Sequence, residues 1–93
     1  MSRFRVERGP QFAKSLAERC KRFERIEEYV RWLEWELERD PTLFADQLSP
    51  EWPRFARILG DKDVAWRCLV LWRIEGEKVV LEDLFPKPDS NDG

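Results

Sequence analysis

The side chains best suited to meet a ligand in this sequence are arginines. Arg67 and Arg73 stand near the ends of a strand-like run within VAWRCLVLWRIEGEKVVLEDLF, Val64 to Phe85, a stretch that is otherwise largely apolar. Charged groups at the ends of such a strand are where it meets solvent or a ligand. The chain holds no histidine, which removes the commonest general base and the commonest metal ligand. Its two cysteines, Cys20 and Cys68, are far apart with no CxxC spacing, and no carboxylate cluster takes over. Metal catalysis and a Ser-His or Cys-His nucleophile are therefore poor expectations, and neither a metal nor another cofactor is expected.

A period-two strand would position these arginines. Val64, Trp66, Cys68, Val70, Trp72 and Ile74 fall on one face, and Ala65, Arg67, Leu69, Leu71 and Arg73 on the other. A strand apolar on both faces belongs in the middle of a sheet. Glu75-Gly76 forms the turn, where glycine accepts the positive φ of a tight hairpin. In the returning strand Val79, Leu81, Asp83 and Phe85 alternate against Val80, Glu82 and Leu84. Upstream, RFARIL over Arg54 to Leu59 reads as a short strand, and Gly60-Asp61-Lys62-Asp63 as the turn that follows it. The segment PTLFADQLSPEWP, Pro41 to Pro53, reads as an ordered loop anchored by Leu43, Phe44, Leu48 and Trp52.

The amino-terminal half reads as a short edge strand followed by helix. Phe4 and Val6 alternate with Arg3, Arg5 and Glu7. Gly9-Pro10 is a helix start, because proline is preorganised for the first helical position and its missing N–H is not needed there. Phe12, Leu16, Cys20 and Phe23 follow at near-helical intervals, and Phe23, Ile26, Val30, Leu33 and Leu37 keep three-then-four spacing up to Asp40-Pro41. A break is expected near Lys21 to Glu24 on grounds of length and of the family resemblance described below, with one continuous helix over 10–39 left open. Glu18 with Arg22 and Glu27 with Arg31 have the favourable order for pairs worth roughly 0.2–0.5 kcal/mol each. Tyr29, Trp32 and Trp35 are read as flanking the main stripe, which makes α-helical surface for another chain or a wedge between sheet and helix.

Composition narrows the class without naming a function. The 93 residues make one domain over 1–88 with a polar flexible tail over 89–93. Five Trp and six Phe are many for this length, so much of the core volume should be aromatic. Seventeen basic against nineteen acidic residues argue against a general nucleic-acid coat, although the stretch Arg3 to Arg25 carries eight basic and three acidic residues. No signal-like segment or transmembrane-length apolar run is found, so a cytoplasmic protein with reduced thiols and no membrane association is expected.

The order of strand, two helices and three antiparallel strands resembles the RelE/ParE superfamily, the toxin half of bacterial type II toxin-antitoxin pairs. The resemblance runs from Phe4 to Lys87 and is carried by FRVERGPQFAKSL, by the WRCLVLWRIEGEKVVLEDLF hairpin and by Phe85-Pro86-Lys87. It implies an α+β fold of order β-α-α-β-β-β, with a short first strand, a helical hairpin and a three-strand antiparallel meander. In ribosome-dependent members it implies metal-independent mRNA cleavage, by attack of a ribose 2′-hydroxyl on the adjacent phosphate. Arg67 and Lys87 fall at the matching points and would be the catalytic, phosphate-stabilising groups, with Arg54, Arg57 and Lys62 binding the RNA backbone. Arg73 shares the strand face of Arg67 but lies about 20 Å away at ~3.4 Å per residue, too far to share a phosphate.

Two other readings come from the same resemblance. One is a toxin that binds a protein target such as DNA gyrase, which needs no catalytic set. The other is a non-toxic toxin-fold protein that serves as an interaction module or a homodimer. Glu82, Asp83 and Asp89 near the implied site would repel RNA phosphate and favour these two. The resemblance implies a cognate antitoxin as partner in every case, with Tyr29, Trp32, Trp35 and the first strand as the contact surface.

Overall fold

Gly9 caps the first helix in extended conformation and Pro10 opens it, so the start signal acts where the sequence places it. The computed structural model describes residues 3–42, 45–49, 54–60 and 66–86. Its elements are β1 (Arg5–Arg8), α1 (Pro10–Cys20), α2 (Ile26–Arg39), β2 (Asp46–Ser49), β3 (Arg54–Leu59), β4 (Cys68–Glu75) and β5 (Lys78–Pro86). Two helices and a five-stranded mixed sheet, counted among the described residues, make a small α+β domain. The expected break between helices falls at Lys21 to Arg25.

The sheet order is β1-β5-β4-β3-β2, which puts β4 in the middle and β1 at an edge. β3, β4 and β5 form the expected antiparallel meander, joined at Glu75 by a turn whose Gly76 has φ 61°. β1 lies parallel to β5, with Val6 opposite Val79. One expectation is corrected. The order is β-α-α-β-β-β-β, because Asp46–Ser49 pairs with β3 as a strand instead of lying in a loop. Pro41, Pro50 and Pro53 bracket this tetrapeptide without interrupting it, so its N–H groups remain available to the ladder. Leu48, expected as an anchor, is 54% exposed on this strand. Leu43, Phe44 and Trp52 lie outside the described residues, as do Lys62, Lys87 and the 89–93 tail.

The core lies between the helices and one face of the sheet. α1 contributes Phe12 and Leu16, and α2 contributes Ile26, Val30, Leu33 and Leu37, against Phe55, Leu59, Cys68, Val70, Trp72, Val79, Leu81 and Leu84. Burying a side chain of this size stabilises by about 1.5–3 kcal/mol. On β4 the buried face is Cys68, Val70 and Trp72, as the alternation requires, while Leu69 and Leu71 on the other face are half-buried. On β5 simple alternation fails. Trp72 pairs with Leu81 and Leu71 with Asp83, so Glu82 is the extra residue of a bulge and Leu84 comes round to the core beside Leu81. No described helix is long and apolar enough to cross a membrane.

Candidate functional site

α2 has three sides with different work. Ile26, Val30, Leu33 and Leu37 are buried in the core. On one flank Glu27 and Glu34 hold Arg8 of β1, with Arg8 Nε donating to Glu34 Oε2 at 2.7 Å and Nη2 to Glu27 Oε2 at 3.0 Å. The Glu34 carboxylate raises the pKa of Arg8 further above its ordinary value. Burial works against the charge on Glu27, but hydrogen bonds from Arg8 and Arg31 outweigh it and hold its carboxyl below the usual range. The other flank carries Tyr29 and Glu36, and faces the end of β3.

Between that flank and β3 lies a groove of about 390 Å³, lined chiefly by Tyr29, Trp32, Glu36, Arg57, Ile58 and Trp66. The rings of Tyr29 and Trp66 meet with centroids 4.6 Å apart at an interplanar angle of 48°. Arg57 Nη1 donates to Glu36 Oε1 at 2.6 Å, a half-buried pair that ties β3 to α2 along the groove wall. At the mouth Gly60 has φ 98°, and a Cβ there would stand 3.1 Å from the Trp66 ring and 3.2 Å from the Arg67 Cα. The arrangement offers flat apolar surface with one internally neutralised ion pair, which suits a protein segment better than a polyanion.

Arg67 sits just before β4, and its Nε is buried with no hydrogen-bond partner among the described residues. Register brings Pro86 opposite Cys68, so the end of β5 arrives beside the start of β4. Arg54 is not brought to that place. It pairs with Arg73 at the other end of β3, whereas Leu59 pairs with Cys68. Arg54 donates to Glu82 at 3.3 Å, and Arg73 donates to Glu82 at 2.8 Å and to Glu75 at 2.6 Å. Glu75 and then Glu82 raise the pKa of Arg73, and Arg73 in turn lowers that of Glu75. With Lys78 reaching Glu75 and Glu7, these pairs form a charge ladder from β3 across to β1.

Tyr29, Trp32 and Trp35 are 41%, 64% and 50% exposed. Tyr29 does flank the core stripe, but Trp32 and Trp35 lie toward the side of α2 opposite it, because two residues of helix turn the side chain by about 200°, and Trp35 is two residues from Leu33 and Leu37 while Trp32 is two from Val30. Arg39 stacks on Trp35, with its Cζ 3.8 Å from the ring centroid. Sequence reasoning missed Trp66 as a groove residue and missed Glu36 and Glu82 as the partners that neutralise Arg57 and Arg54. Only the cross-strand register and the helix-to-sheet docking disclose those pairs. No family model matches the chain, and no curated protein or solved structure matches it either.

Proposed function

We propose that this chain is a toxin-like protein of the RelE/ParE kind that works by contact with another protein, such as DNA gyrase, and not by cutting mRNA. The observation that carries the reading is the pairing of Arg57 with Glu36 on the wall of an open aromatic groove, together with that of Arg54 with Glu82 at the other end of β3. An RNA phosphate arriving at either arginine would have to displace a carboxylate. A protein segment laid in the groove against the Tyr29 and Trp66 rings would displace only water from apolar surface. A cognate antitoxin is the further partner that the reading entails. One observation favours mRNA cleavage as the second reading, namely the buried Nε of Arg67, which has no hydrogen-bond partner among the described residues.

The test is induced expression in a bacterial host, with growth and pulse-labelled DNA and protein synthesis followed together. DNA synthesis should fall first, and Trp66→Ala should relieve the block. An early fall in protein synthesis with cut mRNA, abolished by Arg67→Ala or Lys87→Ala, would overturn the reading in favour of an interferase. Unimpaired growth would leave a non-toxic interaction module.

A further inference from the structure

The outward side of α2 is chemically palindromic. Glu28, Trp32, Trp35 and Arg39 follow one another at spacings of four, three and four residues, so they form a single stripe along the helix. All four are exposed, and the stripe lies opposite Ile26, Val30, Leu33 and Leu37 in the core. Two tryptophans on the solvent pole of a helix are what a docking surface looks like and are not explained by the domain's own packing. The stripe reads acid, Trp, Trp, base. Turned end to end it reads base, Trp, Trp, acid, which is its own complement.

From this we infer that the stripe is a homodimer contact, formed by two antiparallel copies of α2 related by a two-fold axis between Leu33 and Glu34. In that pairing Glu28 faces Arg39 of the second copy, and Trp32 faces its Trp35, twice over by symmetry. Arg39 already lies over the Trp35 ring, which places its guanidinium on the stripe where it can meet a carboxylate. Two notches receive the opposing rings. Trp32 and Trp35 line one of about 300 Å³, and Glu28, Tyr29 and Trp32 line one of about 190 Å³. The stacked Trp35 and Arg39 of the second copy fill the latter. Arg31 and Glu38, on the same flank, add a further opposite-charge approach between copies. A parallel pairing would set Glu28 on Glu28 and Arg39 on Arg39, so the charges select the antiparallel one.

The inference goes beyond the functional reading, and the two fail separately: Trp32 borders both surfaces, but Trp66 lines only the groove, whereas Glu28, Trp35 and Arg39 belong only to the stripe. The test is sedimentation equilibrium of the full chain, 11.3 kDa as a monomer, over a wide concentration range. The wild type should show a dimer that dissociates on dilution. Trp32→Ala should raise the dissociation constant by about tenfold or more. Glu28→Arg and Arg39→Glu should each weaken the dimer as strongly, and an equimolar mixture of the two should restore it, because each mutant end then faces its opposite. Circular dichroism matching the wild type is the folding control. A wild type that stays monomeric up to about 1 mM, a dimer indifferent to Trp32→Ala, or charge variants that the mixture does not rescue would each overturn the proposal. The last two would assign the surface to a different protein.

Discussion

Trp72 Nε1 donates to the backbone carbonyl of Pro41 at 3.1 Å, which fastens the central strand to the chain just past the end of α2. Trp72 is fully buried and Pro41 is buried as well. The bond therefore satisfies two groups that water cannot reach. Trp72→Phe keeps an aromatic ring but orphans the carbonyl and leaves a void, and should lower stability by about 2–4 kcal/mol. Urea unfolding should show a lower midpoint with an unchanged slope. Trp35→Phe on the surface should move the midpoint hardly at all.

Gly60→Ala should destabilise by more than the ~1–2 kcal/mol of a left-handed residue, because its Cβ also presses on the Trp66 ring and the Arg67 backbone. Gly76→Ala is the control. Gly76 also has positive φ, but nothing stands within 4 Å of the added methyl. Thermal melts of the two variants should therefore differ, with Gly60→Ala the worse.

Acid should weaken the attachment of α2 to β1. Glu27 titrates below its ordinary value of 4.5 in the folded chain, so its ionised form is favoured by folding. The stabilisation is in place above that ordinary value and is lost as pH falls through the lower folded value. Glu27→Gln should be less stable than the wild type at neutral pH, and the gap should narrow on acidification. A gap that stays constant with pH in chemical denaturation would assign the effect to packing.

Cys20 and Cys68 are free thiols, half-buried and buried respectively. Burial pushes the Cys68 thiol up to about 11, and raises that of Cys20 as well. Neither is a good nucleophile near neutral pH. Alkylation followed by mass spectrometry should find Cys20 modified slowly in the native chain, and Cys68 modified only after denaturant is added.

Local signals were the readable part of the fold. Gly9-Pro10, the stripe from Ile26 to Leu37, RFARIL and the Gly76 turn each sit within a few residues of what they determine. β2 escaped because the prolines around DQLS carry the composition of a loop, while its pairing depends on β3 needing a neighbour. The bulge at Glu82 escaped because it is a property of two strands together. The site suffered most from distance along the chain. Arg57 and Glu36 are separated by 21 residues and Arg54 and Glu82 by 28, so sequence displayed the cations and hid their partners. The exposed tryptophans were visible as residues, but the sequence reading sets Trp32 and Trp35 beside the core stripe, whereas helical phase puts them nearer the opposite side.

The parallel seam between β1 and β5 bears on how the chain is made. β1 leaves the ribosome well before β5, and until Lys78 to Pro86 emerges, Val6 lacks its strand partner and Phe12 and Leu16 have only part of the surface they are buried against. Such long-range closure makes folding slow relative to helical proteins of the same size. A nascent chain halted inside the hairpin would display two amphipathic helices and an unpaired sheet edge together, the combination most exposed to aggregation.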